Sequence, residues 1–232
     1  MSEAFDKVTG IKQLPLFPLP LVLLPNEVLP LHIFEPRYRQ MLKDIELRRN
    51  MFGLTCFDPE KSIDDKPAVG SIGCAAEVRE SHPQPDGRSN ILTIGVMRYR
   101  LVNYVDEATP YWLAEVEFFE DEKEDPALLG PLADEVYYLF ERVAKAAFKL
   151  SGGRGEYPKV AKAEPESLSF LVTAAFDLDQ SMKYKFLEIT STSRRLKKLR
   201  GILKKAVGKM EESAEMHKTI QTNGHSKRKI DL

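Results

Sequence analysis

The chain changes its hydrophobic period near its middle. Ile72, Cys74, Ala76 and Val78 alternate with Gly73, Ala75, Glu77 and Arg79, and Trp112, Ala114, Val116 and Phe118 alternate with Leu113, Glu115 and Glu117. A period of two turns one set of side chains to a core and the other to water, which predicts strands. A further strand is predicted from Ile91 to Tyr104, with Met97, Tyr99 and Leu101 opposite Arg98 and Arg100. Gly95 inside it predicts a bulge or a close backbone approach. Asp86-Gly87 lies between two of these strands and suits a hairpin turn with positive φ. Short strands separated by turns predict a small barrel or sandwich.

Further on the period lengthens to that of a helix. Leu132, Val136, Phe140, Val143, Ala147 and Leu150 recur every three or four residues, and Ser151-Gly152-Gly153 is expected to end that helix. A second helix is expected from Glu164-Pro165-Glu166, with Leu168, Leu171, Val172 and Ala175 turned inward. Asp179 is the expected N-cap of a third, which carries Met182, Phe186 and Ile189. A last helix starts near 191–193 and stripes Leu196, Leu199, Leu203 and Val207 along one side. The layout is α+β: a β domain over 11–125, a helical bundle over 126–207 and a polar, disordered tail over 208–232.

Composition narrows the function. With 232 residues, 43% hydrophobic and 30% charged, the chain can bury a sizeable core. Its 34 Lys+Arg against 35 Asp+Glu leave a net charge of −1, so no global field draws it to nucleic acid or an anionic membrane. Two cysteines, Cys56 and Cys74, cannot build a disulfide framework or a four-cysteine zinc site. The start lacks a basic segment followed by an apolar one, so the expected location is a reducing cytoplasm. The uncharged apolar run 14–25 is shorter than the about 20 residues of a membrane span, so no membrane partner is expected.

The sequence offers little catalytic chemistry. No glycine-rich phosphate loop and no G-x-S-x-G elbow occurs. His32, His82, His217 and His225 are scattered without metal-ligand spacing. A Cys-His pair from Cys56 or Cys74 with His32 or His82 is open to the sequence, but both cysteines sit in apolar, strand-like runs where a buried core thiol is commoner. No cofactor, no metal and no enzymatic activity are expected. The acidic run Glu115–Asp125 reads as a solvated strand end and linker. The basic run Arg194–Lys205, interleaved with leucines, reads as the wet face of an amphipathic helix, with phosphate or an acidic partner as the alternative.

The most distinctive segment runs from Leu14 to Tyr38, LPLFPLPLVLLPNEVLPLHIFEPRY. Physically it is an extended apolar strand, a Pro-Asn turn, a second short strand and a helix opening at Glu35-Pro36, with Tyr38, Met41, Leu42 and Ile45 inward. This segment resembles the opening of the Lon protease N-terminal domain, also called the LON substrate-binding domain. The resemblance continues in order through Ala68–Gly73, Gly95–Leu101, Tyr111–Glu117, Glu164–Leu168 and Arg195–Leu199, and covers about Ile11 to Val207. It implies a PUA-like β pseudo-barrel followed by a small helical bundle. The ATPase and Ser-Lys protease parts of full Lon proteases have no matching positions here, so a stand-alone form is expected. The chain is also similar to the LON part of cereblon-type adaptors, without their zinc-bearing domain.

At the first helix of that segment, Glu35 and Arg37 are expected to cap and brace, while Tyr38 fills the core and bonds through its hydroxyl. Arg98 and Arg100 share a strand face, where pairing with acidic neighbours is favoured over ligand contact. The proline-rich opening strand cannot donate a full ladder, so it is expected at a sheet edge or broken by bulges, where an extended polypeptide could add. Leu21, Leu23, Phe34, Tyr38, Arg98 and Arg100 are the candidate polypeptide contacts. The resemblance implies a non-catalytic recognition or adaptor module for unfolded or apolar client segments, working with a separate ATP-dependent protease or chaperone. An RNA-binding PUA-like protein is the alternative, and the net charge speaks against it. The bundle and its basic helix could also join two copies as a homodimer.

Overall fold

The computed structural model describes residues 2–57, 65–150, 162–176 and 178–223. In chain order the elements are α1 (Glu3–Val8), β1 (Gln13–Leu19), β2 (Val28–Ile33), α2 (Pro36–Glu46), β3 (Met51–Cys56), β4 (Ile72–Pro83), β5 (Ser89–Val105) and β6 (Leu113–Phe118), then α3 (Pro126–Leu150), α4 (Pro165–Ala175), α5 (Gln180–Glu188) and α6 (Thr192–Asn223). The fold is mixed α+β. α1 escapes the sequence reading because six residues are too few to show a period; Ser2 caps it by accepting from the Phe5 N–H at 3.2 Å.

The strands form one sheet in the order β2-β5-β4-β3-β1-β6, and β6 pairs back onto β5 and closes it. β1 therefore lies inside the sheet, parallel to β3 and antiparallel to β6, which corrects the expectation that it forms an edge. Its prolines fit because each nitrogen falls where a ladder is missing. The Leu16 N–H donates to Trp112 and the Lys12 carbonyl accepts from Val116, so even-numbered residues of this strand face β6 and odd-numbered ones face β3. Pro15 turns toward β3 before that pairing begins at Leu16, and Pro18 turns toward β6 after that pairing has ended.

β5 is long enough to change partners along one edge. Ser89 to Ile94 pair with β2, Tyr99 to Val105 pair with β6, and β4 holds the other side. The change falls at Gly95, beside a register shift between Ala75 and Ala76 on β4. A Cβ on Gly95 would stand 2.1 Å from the Leu24 carbonyl oxygen, so the bulge and the close backbone approach both occur. At the β4–β5 hairpin Gly87 takes φ 81°, and its N–H donates to the Gln84 carbonyl at 2.9 Å.

The chain divides into two compact units, Met1–Lys123 with Glu166–Thr192 and Glu124–Pro165 with Ser193–Leu232. α4 and α5, expected in a bundle over 126–207, thus belong to the sheet-bearing unit. There Phe170 and Leu187 bury against Val22, Leu24 and Ile72. Leu171 is 40% exposed rather than inward, with Phe170 and Thr173 buried beside it. Asp179 caps α5 as expected, accepting from the Met182 N–H at 2.7 Å.

The second unit contains α3 and α6. Leu132, Val136, Leu139 and Val143 are buried on the first, and Leu196, Leu199, Leu203 and Val207 on the second. Glu135 accepts from Arg200 at 3.0 Å and pairs with Lys204 at 2.8 Å. Arg195 is fully buried, not on the wet face. α6 runs through Gly208 to Asn223, so the tail expected from 208 begins as helix. The Ser151–Gly153 stop and residues 224–232 lie outside the described residues.

Candidate functional site

The route into β2 is tightly fixed. Asn26 takes φ 66°, a left-handed value that asparagine tolerates. The Leu24 N–H donates to the Glu27 carboxylate at 2.9 Å, and Lys183 holds the same carboxylate at 3.4 Å. Asn26 donates to the Gly95 carbonyl at 2.8 Å and Gly95 donates to the Glu27 carbonyl at 2.9 Å. From there β2 runs antiparallel to β5, from Val28 opposite Ile94 to Ile33 opposite Ser89. It pairs with no other strand among the described residues. β2 is the free edge of the sheet.

Because the Glu27 carbonyl faces β5, alternation points the main-chain groups of Leu29, Leu31 and Ile33 to β5 and those of Val28, Pro30 and His32 away. Pro30 has no N–H to expose. The free edge thus presents the N–H groups of Val28 and His32 and the carbonyls of Val28, Pro30 and His32. Val28 and Phe34 are 56% and 58% exposed. His32 lies 6.0 Å from the Phe34 ring in a stacked arrangement, and its Nδ1 is 2.7 Å from Asn90 Oδ1. Leu29 and Leu31 turn inward, half-buried beside Leu19 and Leu21 on the cluster that holds α2.

The six residues singled out in the sequence do not form one surface. Phe34 stands exposed just past β2 and Leu21 is half-buried. Leu23 and Tyr38 are core residues. Tyr38 packs on Phe17 with ring centroids 4.1 Å apart and under the Arg37 guanidinium at 4.5 Å, and burial pushes its pKa well up. Among the described residues its buried hydroxyl has no hydrogen-bond partner, contrary to expectation. Glu35 makes no side-chain cap; it accepts from Arg37 at 2.9 Å, and Arg37 also pairs with Asp65. Arg100 is exposed and donates to the Gly70 carbonyl at 3.2 Å.

Arg98 is internal, with its side chain 2% exposed. It pairs with Asp121, donates to the Leu187 and Ile189 carbonyls at 3.1 and 2.8 Å, and lies over the Phe119 and Phe170 rings. A buried guanidinium so engaged ties β5 to the end of α5 rather than meeting a ligand. The acidic run is solvated along much of its length, as expected, with Glu115, Glu117, Glu120, Glu122 and Asp125 exposed, but it is also anchored. Asp121 also accepts from Thr192, Glu122 accepts from the Thr190 hydroxyl at 2.6 Å, and Asp125 accepts from the Ala127 N–H at the start of α3. The favoured pairing of Arg98 with an acidic residue thus occurs, while the anchoring of Asp121 by Thr192 escapes the sequence because the two lie far apart along the chain.

Thiol chemistry is suppressed at Cys74, whose burial pushes its pKa up to about 12, while Cys56 is half-buried and both are free thiols. No group of three or more His, Cys, Asp or Glu side chains among the described residues could hold a metal ion. Burial likewise pushes Tyr104 and Tyr111 up to about 12. These groups keep their protons in the folded chain at pH values where the unfolded chain loses them. Their stabilisation is complete below the ordinary thiol value of 9.0 and is lost as pH rises toward about 12. The melting temperature is therefore expected to fall steadily across that window, and circular dichroism melts that stay flat would contradict it.

The family model described as the ATP-dependent protease La (LON) substrate-binding domain matches residues 13–205. The chain belongs to the LON substrate-binding domain family. Among its relatives, the Lon protease of Desulforamulus reducens is 28% identical over 199 residues, which are 84% of this chain and 24% of that protein. The Lon protease of Azorhizobium caulinodans is 28% identical over 224 residues, 93% of this chain and 25% of that protein. This LON domain chain thus spans about a quarter of the length of the curated relatives it matches.

Solved structures agree on the fold. The Lon N-terminal domain protein of Xanthomonas campestris superposes with a TM-score of 0.58 at 22% identity, covering 82% of this chain and 97% of that one. The N-terminal domain of Mycobacterium avium complex Lon protease gives 0.60 at 14%, covering 83% and 98%. No helix among the described residues of this LON domain chain is long and apolar enough to cross a membrane.

Proposed function

We propose that this LON domain is a non-catalytic polypeptide-recognition module that adds an extended, apolar client segment to the free edge of β2. The observation that carries the reading is the unpaired β2 edge, with two open N–H donors flanked by exposed Val28 and Phe34. Strand addition draws affinity from main-chain hydrogen bonds and selectivity from alternate side chains, and this edge supplies both. The family's description as a substrate-binding domain supports the same role. The closed circuit β5-β4-β3-β1-β6 is the PUA-like barrel of the proposal, and the second unit is what stands for the bundle. Clients held on β2 would pass to an ATP-dependent protease or chaperone in the cytoplasm, a setting that suits two free thiols.

Fluorescence anisotropy with a labelled, permanently unfolded polypeptide tests this, with a labelled single-stranded RNA alongside. Saturable polypeptide binding that survives raised salt is expected, because counterion release would make RNA binding fall steeply with salt. Val28→Asp with Phe34→Asp should weaken it by about tenfold or more, since two exposed apolar anchors of about 1–2 kcal/mol each are lost. The melting temperature should barely move. Unchanged affinity in that double variant would remove β2 from the mechanism.

A further inference from the structure

The geometry points to a second site in the sheet-bearing unit: a pocket that takes the C-terminal carboxylate of a polypeptide whose last side chain is apolar. It is independent of the β2 edge. The pocket has a volume of about 500 Å³, which is the size of small-ligand sites, and lies where the start of β1, the end of α2 and the start of β3 meet. Its walls are apolar, with Leu14, Pro15, Ile45, Met51 and Leu113.

Its polar lining is cationic. Lys12, Arg48 and Arg49 stand against a single carboxylate, Asp44. Asp44 is already engaged, since it accepts from Tyr111 at 2.8 Å and from Gln40 at 2.8 Å. Arg49 donates to the Lys7 carbonyl at 3.0 Å, and among the described residues none of the three cations pairs with a carboxylate. An anion with an apolar body complements this lining in both charge and polarity.

The backbone decides for a polypeptide over a free fatty acid. By the alternation that seats the prolines of β1, the N–H and carbonyl of Gln13 face away from β6. On that side β3 pairing starts only at Leu16, so Gln13, which lines the pocket, offers a donor and an acceptor with no strand opposite among the described residues. An incoming chain end satisfies every feature: its main chain pairs with Gln13, its last side chain meets the apolar walls and its carboxylate meets the arginines. A fatty acid would leave Gln13 unused.

The test uses the full chain and a fluorescein-labelled decapeptide ending in leucine, as free acid and as C-terminal amide, with octanoate as competitor. The acid is expected to bind about tenfold or more tightly than the amide, as loss of a charge-assisted contact predicts. Arg48→Gln and Lys12→Gln, both at exposed positions, should each reduce that preference without moving the thermal melt. The Val28→Asp, Phe34→Asp variant should leave it intact, which separates this pocket from the β2 edge. Equal binding of acid and amide, no binding of either, or octanoate binding as tightly as the peptide acid would each overturn the assignment.

Discussion

Replacing Arg98 by methionine is expected to destabilise the protein by about 3–5 kcal/mol, a large part of the margin on which a domain stands. The cost does not come from the attraction lost. It comes from Asp121, whose side chain is 5% exposed and which would be left as a buried carboxylate without its guanidinium. The Leu187 and Ile189 carbonyls would lose their donor in the same step. Lysine should not rescue, because one guanidinium nitrogen serves two carbonyls while the other serves the carboxylate, a planar fork that an ammonium cannot reproduce. Adding Asp121→Asn to Arg98→Met should return part of the loss, since the stranded charge is then gone. Urea unfolding of the parent, Arg98→Met, Asp121→Asn and the double variant measures the coupling. An Arg98→Met stability within about 1 kcal/mol of the parent would mean that the ion pair is not desolvated as described.

Gly95→Ala is expected to cost about 2–4 kcal/mol although it adds one methyl group. The new Cβ would meet the Leu24 carbonyl oxygen at 2.1 Å and the Cys74 sulfur at 3.2 Å, and the first of these is backbone that cannot rotate away. The chain must open where β5 changes partners, so the hydrogen bonds joining Gly95 to Asn26 and Glu27 should break and β2 should loosen. A useful contrast is Gly201 on α6, where an added Cβ meets nothing within 4 Å. Alanine there should stabilise by about 0.5–1 kcal/mol through helix propensity alone. If the two alanine variants melted alike, the close approach at Gly95 would be wrong.

Local signals in the sequence transferred well. The stripe Tyr38, Met41, Leu42 and Ile45 is the buried face of α2, Asp179 caps α5, and Gly87 supplies the positive φ of the hairpin. Each depends on residues within a few positions of one another. What failed depends on residues far apart. Prolines in β1 argued for an edge, yet sheet closure seats Pro15 and Pro18 where a ladder is absent, and the true edge is β2 with its single Pro30. Asp121 looked solvated because Arg98 and Thr192 are distant in sequence. α4 and α5 follow α3 in order but pack with the sheet. The free donors of Val28 and His32 were in principle legible, since Pro30 sits between them at a spacing of two.

The central claim is that an extended polypeptide pairs with β2, and amide hydrogen exchange resolved by residue tests it most directly. With a saturating unfolded polypeptide, the Val28 and His32 amides should slow, because they gain partners, while Leu29 and Leu31, already bonded to β5, should change little. Binding that leaves Val28 and His32 exchanging as in the free protein would contradict strand addition and move the polypeptide to another surface.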